Sequence, residues 1–335
     1  MNRQLRLAKR PVGEPAPDDF EVSEEELPGP GDGEALVKVL QISLDPAMRG
    51  WMSDTPSYVP PVSLGDVMRA GTAGVVVASN SERLAPGDHV VGMLGVQEHA
   101  VAPAKALTKV DPTTAPLATY LGGLGMPGLT AYFGLTEVGD LREGDTVVIS
   151  GAAGAVGSVA GQIAKTKGAA RVVGIAGGPD KCAWIVDDLG FDAAIDYTSE
   201  RVVRRLHELC PDGINVYFDN VGGDILDAAL ANLAWGARVV ICGAISQYNA
   251  QDGMQGPRNY MMLLVRRARM QGFLVFDYAE QYGAALRDMA AWRADGRLKT
   301  REEIIEGQIE DFQPTLMKLF HGENTGKLVL QIAAP

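Results

Sequence analysis

The chain is poor in the residues that build metal centres and disulfides. Its 335 residues include three cysteines, Cys182, Cys210 and Cys242, and four histidines, His89, His99, His207 and His321. The cysteines are isolated, so a disulfide framework is not expected and a reducing cytoplasm is the default. A catalytic zinc needs Cys, His and carboxylate ligands around one open position. The scattered histidines offer no such set, and no metal is expected. Positive charge is scarce too: 30 Lys and Arg stand against 42 Asp and Glu, a net charge of −12. The densest basic run, Arg266–Arg269, holds three arginines. That pattern speaks against nucleic acid as a partner, since phosphates call for clustered cations, and against an anionic membrane surface. No apolar run reaches the roughly 18 residues of a spanning helix. The segment MNRQLRLAKRPVGEP is basic but has no apolar stretch of a secretion signal. Neither a G-x-S-x-G elbow nor a Walker A lysine occurs.

What is present is a globular composition, 46% apolar with 40 glycines, at a length that suits two domains. The first 125 residues read as short strands broken by turns. Glu34–Ser43 alternates partly, Ala70–Ser79 and Asp88–Gly92 are further candidates, and Pro-Gly and Gly-Asp pairs at 28–33 and 86–88 punctuate them. Beyond Pro127 the texture changes. Gly128–Val138 looks helical. Strands are then expected at Thr146–Ser150, Arg171–Ala176, Ala193–Asp196, Ile214–Asp219, Ala237–Cys242 and Gln271–Phe276. They are short, apolar and rich in Val and Ile, as strands are when helices cover both faces of a parallel sheet. Helical segments such as Ser158–Lys167, Lys181–Leu189 and Ile225–Leu233 separate them. The expected fold is α/β, a doubly wound parallel sheet with a β-rich second domain. A helix at Phe312–Phe320 and a strand at Gly326–Ala333 close the chain.

Between the first of these strands and its helix lies GAAGAVG, residues 151–157. It fits G-x-G-x-x-G with Ala152 first, then Gly154 and Gly157. Tiny residues suit a sharp turn, close backbone approach to a pyrophosphate, and tight packing of helix on strand. The helix N-terminus then turns free N–H groups towards phosphate. In a strand–loop–helix context this predicts dinucleotide binding. An NAD site places a carboxylate about 20 residues further on, against the ribose 2′-hydroxyl. Gly177 stands there instead, with Lys181 just beyond. A small residue leaves room for a 2′-phosphate and a lysine can pair with it, so NADP(H) is the expected cofactor.

These residues resemble the medium-chain dehydrogenase/reductase superfamily, and more specifically its zinc-independent branch of leukotriene hydroxydehydrogenases, prostaglandin reductases and curcumin or alkenal double-bond reductases. The matching pieces are SLDPAMRGWM (43–52), GMPGLTAYFGL (125–135), the phosphate loop, DY (196–197), YFDNVGG (217–223), CGAISQYN (242–249), GF (272–273) and GENTGKLVL (322–330). The resemblance implies a GroES-like substrate domain at 1–125 with 300–335, a Rossmann NADP-binding domain at 126–299, and a homodimer. It implies that Ala152, Ala153, Gly154, Ala155, Val156 and Gly157 cradle the pyrophosphate. Lys181 and Tyr197 would serve the 2′-phosphate end. Asn220 and the segment Cys242, Gly243, Ala244, Ile245, Ser246 to Tyr248 would line the cofactor channel. Phe273, Leu274 and Val275 would flank the nicotinamide, and Asn324 would close over it. Two positions depart from mammalian and plant members: Val265 replaces a pocket tyrosine and Ala47 an aromatic.

The implied reaction is reduction of the C=C bond of an α,β-unsaturated ketone or aldehyde with NADPH. It needs little acid–base machinery, only donors for the enolate oxygen. Tyr58 and Tyr260 are the candidate catalytic donors, because a tyrosine of ordinary pKa stays protonated at neutral pH. Tyr58 reads equally as a loop anchor, Tyr260 as helix packing, and Asp45-Pro46 as a helix start. A quinone reductase of the same superfamily, or a non-catalytic NADPH-binding protein, would share the cofactor features.

Overall fold

The computed structural model describes residues 1–27 and 29–334. Pro28, in the turn predicted at 28–33, and Pro335, at the end of the predicted substrate domain, lie outside them. The chain divides into two compact units, Met1–Leu121 with Glu302–Pro335, and Gly122–Arg301.

In the first unit, a sheet runs in the order Glu302–Glu306, Lys327–Gln331, Glu34–Ser43, Thr72–Ser79, His89–Gly92 and Thr108–Val110, with His99–Pro103 also pairing Glu34–Ser43. All pairs are antiparallel except the first, Glu302–Glu306 with Lys327–Gln331. The weak alternation of Glu34–Ser43 has a physical cause. Val37, Val39 and Ile42 enter a large core with Met48, Met52 and Phe312, while Leu40 enters a second cluster with Leu117, Leu121 and Val329. A strand buried on both faces loses its polar side. The expected strands at 70–79 and 88–92 begin at Thr72 and His89.

The second unit is a six-stranded sheet. Its strands are β1 (Thr146–Ser150), β2 (Arg171–Ala176), β3 (Ala193–Asp196), β4 (Ile214–Asp219), β5 (Leu233–Ile241) and β6 (Arg269–Gly272). The helices used below are α1 (Gly157–Thr166), α2 (Pro179–Asp187), α3 (Val202–Leu209), α4 (Gly223–Leu230) and α5 (Met261–Arg266). The spatial order is β3-β2-β1-β4-β5-β6, and every pair is parallel. This is the doubly wound order, whose direction reverses between β1 and β4 and opens a crevice at their carboxyl ends. Apolar side chains such as Val148, Val173, Tyr217, Leu206 and Leu230 fill the layer between strands and helices.

Several local expectations need correction. The helix expected at Ile225–Leu233 is Gly223–Leu230, and the strand expected at Ala237–Cys242 begins at Leu233 and ends at Ile241, because Leu233 and Ala234 are buried in the sheet and not on the helix. The strand predicted at Gln271–Phe276 is β6, which ends at Gly272, and Val275–Gln281 forms a 3-10 helix. The apolar run Phe273–Val275 serves packing there, not sheet pairing. The helix start read at Asp45-Pro46 is also displaced: the short helix is Met48–Trp51, with Ala47 before it. Asp45 instead accepts from Ser43 Oγ at 2.5 Å and from Lys327 Nζ at 2.7 Å.

Candidate functional site

The carboxyl ends of the second unit's strands gather most of the predicted site residues. Gly151 follows β1, Gly177 follows β2, Tyr197 follows β3, Asn220 follows β4, Cys242 follows β5 and Phe273 follows β6. In such sheets ligands bind at that edge.

The loop after β1 is shaped by steric necessity. Gly154 N donates to Gly151 O at 2.9 Å, and α1 begins at Gly157. A Cβ on Gly157 would lie 2.3 Å from Gly151 O and 2.8 Å from Ala152 Cα, so the helix reaches its start only with glycine there. Ala152, the unusual first residue of the motif, is accommodated by its neighbour. Gly174 of β2 faces it, and a Cβ on Gly174 would lie 2.8 Å from Ala152 Cβ. Ala152 and Ala153 are buried, while Gly154, Ala155 and Val156 are half-buried. Ala152 N and Ser158 N also donate, to Ile175 O and Gly154 O, both at 3.0 Å, so the turn is held by its own backbone, and the small side chains leave the remaining N–H groups at the helix start approachable. The cradle therefore fits a pyrophosphate.

After β2, a Cβ on Gly177 would lie 2.9 Å from the Tyr197 hydroxyl and 3.0 Å from its ring. The room left by Gly177 is thus covered by Tyr197, itself about half exposed. Tyr197 N donates to Ala176 O at 3.2 Å. Asp196 Oδ1 accepts from Gly178 N at 2.8 Å and from Thr198. Its carboxyl is lowered to about 2, first by the Thr198 hydroxyl and then by Gly178 N–H. Lys181 sits half-buried in the first turn of α2. Gly177 and Tyr197 thus lie at the adjoining ends of β2 and β3, and Lys181 at the start of the helix that follows β2.

A residue set that sequence reasoning missed lies at the reversal between β1 and β4. Asp219, the last residue of β4, is 1% exposed. Its Oδ1 accepts from Ser150 Oγ at 2.8 Å, Tyr217 Oη at 2.9 Å, Gly222 N at 3.0 Å and Val221 N at 3.1 Å. Burial pushes the Asp219 carboxyl up, against the lowering effect of these donors. Asn220 is pinned beside it: its N donates to Ser150 Oγ at 2.8 Å and its Nδ2 to Ser150 O at 2.7 Å. The available signal was an acidic residue ending an apolar strand, since Asp is almost never fully buried without partners.

After β5, Cys242 N and Gly243 N donate to Asp219 O at 2.9 and 3.0 Å. Ile245 N and Ser246 N reach Asn220 O and Val221 O, both at 3.2 Å, and Ala244 N donates to the Tyr248 hydroxyl at 3.1 Å. Burial pushes the Cys242 thiol up to about 12. Beyond β6, Phe273 turns onto Gly134, whose Cβ would lie 2.7 Å from its ring. Leu274 is half-buried, Val275 is buried, and Val275 O accepts from the Tyr282 hydroxyl at 3.0 Å.

The predicted donors are differently situated. Tyr260 immediately precedes α5 and is 57% exposed. Val265, on the same helix, is also exposed. Tyr58, in the first unit, is 49% exposed on a loop whose base is held by Arg10 Nη1 bonding Met52 O and Val62 O. Asn324, in the same unit, is half-buried and donates from Nδ2 to Gly326 O at 3.0 Å. Among the described residues no three His, Cys, Asp or Glu side chains gather into a metal-holding group. Nor, among them, is any helix long and apolar enough to cross a membrane.

Two family profiles match the chain: an N-terminal domain of oxidoreductases over residues 3–110, and one described as a zinc-binding dehydrogenase over residues 155–291. The chain is 41% identical over 337 residues to the NADPH-dependent curcumin reductase of Escherichia coli, spanning 99% of this chain and 97% of that one. It is 38% identical over 338 residues to the NADP-dependent 2-alkenal reductase of Nicotiana tabacum, covering 99% and 98%. The crystal structure of CurA from Vibrio vulnificus in complex with NADPH superposes with a TM-score of 0.93 at 42% identity, over 99% of this chain and all of that one. With a doubly wound sheet, a glycine-shaped phosphate cradle and relatives spanning nearly its whole length, the chain belongs to the zinc-independent, NADP-dependent branch of the medium-chain dehydrogenase/reductase superfamily.

Proposed function

We propose that this NADP-dependent oxidoreductase reduces the C=C bond of α,β-unsaturated ketones and aldehydes. The observation that carries the reading is near-full-length similarity to reductases named for curcumin and 2-alkenals, on a chain whose strand ends form a cradle of the right shape.

Bound NADPH supplies a hydride, which in this reading goes to the β-carbon. The segment Ala152–Gly157 cradles the pyrophosphate, with the N–H groups of Ala152 and Gly154 spent on shaping the turn through Ile175 O and Gly151 O and the other backbone N–H groups turned to the phosphates. Lys181 and Tyr197 bind the 2′-phosphate. Asn220 and Cys242–Tyr248 line the channel, Phe273–Val275 support the nicotinamide end, and Asn324 closes over it. As the C=C electron pair shifts, charge collects on the carbonyl oxygen. Tyr260 and Tyr58 donate hydrogen bonds to it, and the α-carbon of the enolate then takes a proton from solvent water, which leaves hydroxide to the bulk. A donor aimed at developing charge lowers the barrier because it binds the transition state more tightly than the ground state.

The same reading takes a second copy of the chain as partner, joined along β6. That strand pairs on one side only, all four of its residues are exposed, and Met270 on it and Leu264 and Val265 on α5 are exposed apolar groups. Unpaired edges of this kind template strand pairing. Sedimentation at micromolar concentration should give a mass of two chains, and a single-chain mass would remove the dimer from the reading.

The test of function is NADPH consumption with a 2-alkenal, a 2-alkenone and a quinone, followed by product analysis. A saturated carbonyl product with the first two supports the proposal. Turnover of the quinone alone would overturn it.

A further inference from the structure

Asp219 bonds to groups at or just beyond the ends of three strands of the candidate site. Two features separate it from an ordinary buried acid. Its partners lie almost wholly at strand ends: Ser150 closes β1, Val221 and Gly222 form the turn after β4, and Cys242 and Gly243 follow β5. Only Tyr217 donates from within a strand. The bonds also propagate. The turn that the carboxylate organises presents Asn220 O and Val221 O, which hold Ile245 N, Ser246 N and, at 2.7 Å, Ser246 Oγ. An apolar side chain would fill the same volume without desolvating a carboxylate. It would supply no acceptor for the N–H groups of 221 and 222.

We infer that Asp219 is a positioning residue for the dinucleotide, its carboxylate and backbone carbonyl locking together the phosphate loop, the Asn220 turn and the Cys242–Tyr248 segment. The inference rests on the proposed assignment of those segments to the cofactor. Asp219 acts through Ser150, Asn220 and residues 242–246, not by touching the reacting atoms. Neutralising it leaves an acceptor in place but removes the charge that strengthens four converging hydrogen bonds. The strand ends then loosen, and cofactor affinity falls before the sheet fails.

The test is direct NADPH binding without substrate, read from the fluorescence of the bound nucleotide, with thermal midpoints recorded with and without NADPH. Asp219→Asn should weaken the NADPH Kd by about tenfold, the scale of one charge-assisted hydrogen bond, and shrink the midpoint gain on adding NADPH. Ser150→Ala, which removes the hydroxyl bridging Asp219 to Asn220, should weaken Kd by about threefold on the scale of one neutral bond. It carries the test if Asp219→Asn does not fold. Val239→Ala, in the buried middle of β5, is the control. It should lower the midpoint and leave Kd within about twofold. Unchanged Kd in both site variants, with lowered midpoints alone, would overturn the inference. So would an equal loss of affinity in Val239→Ala. Lys181→Ala and Gly157→Val, measured alongside, separate the two layers of argument. If they weaken binding and Asp219→Asn does not, the positioning role fails alone. If they too leave Kd unchanged, the cofactor assignment fails and takes this inference with it.

Discussion

The ends of β1, β4 and β5 and the segment leading into α5 belong to one structural unit but are built in opposite ways. At the strand ends Ser150 and Asp219 are buried and each bonds several partners, and the buried Tyr217 hydroxyl donates to Asp219 from within β4. Around α5, Tyr260, Met261, Leu264 and Val265 are more than half exposed. Among the described residues the Tyr260 hydroxyl has no hydrogen-bond partner. A dinucleotide offers the same phosphates and rings in every member of such a family, so its site can be rigid before binding. A substrate carbonyl needs a donor that is free until it arrives. In the proposed reading this is the contrast between a preformed cofactor cradle and an adaptable substrate side.

The strongest way to break that picture is at the cradle. Gly157→Val places side-chain atoms against Gly151 O, where even a Cβ would stand at 2.3 Å. Overpacking of this kind costs about 1–3 kcal/mol or more, up to about 150-fold in Kd when the strain falls on the bound form. NADPH titration checks it, and unaltered affinity would mean that the loop does not hold the pyrophosphate. Next is Lys181→Ala. Loss of one charge-assisted contact at a half-exposed site is worth about 1.5 kcal/mol, or about tenfold. The loss should appear in the NADPH KM while NADH turnover stays nearly constant. Equal KM values for NADH and NADPH in the unaltered enzyme would contradict the assignment.

The substrate side should respond more weakly. A buried oxyanion donor is typically worth about 10²–10³ in kcat, but Tyr260 is 57% exposed and Tyr58 is a proposed second donor. Tyr260→Phe should therefore lower kcat by about fivefold with a smaller change in KM. If neither tyrosine variant changes kcat, the donor assignment falls while the reaction class stands.

The smallest effect concerns Asp196, whose carboxyl is lowered to about 2 by Thr198 and Gly178. A folded-state pKa below the unfolded value adds stability that is present above the unfolded pKa, near 4, and lost as pH falls towards 2. The thermal midpoint of Asp196→Asn should lie slightly below that of the unaltered chain at pH 6, and the gap should narrow below pH 4. A gap independent of pH would show that the variant is destabilised for reasons other than loss of the Asp196 charge.

How much of this was legible in the sequence varies with how local the cause is. The phosphate loop was readable because strand, glycine spacing and helix lie within about twenty residues. Strands β1, β2, β4 and β5 were readable from their Val and Ile runs, since burial on both faces writes itself into composition. The end of β6 was not. Phe273–Val275 look like more strand, and only the fold shows that Phe273 is drawn onto Gly134, far away in sequence. Asp45 was read as a local helix start, yet its partner Lys327 lies 282 residues on. Asp219 was passed over because its role depends on β1 and β5 flanking β4, an order that composition does not encode.

The most direct test of the central claim follows the hydride itself. NADPH deuterated at the transferable position of its nicotinamide ring is incubated with the enzyme and a simple 2-alkenal, and the product is read by NMR. The account predicts a saturated aldehyde with deuterium on the β-carbon and the aldehyde proton unchanged. Deuterium on the carbonyl carbon, in an allylic alcohol, would contradict it.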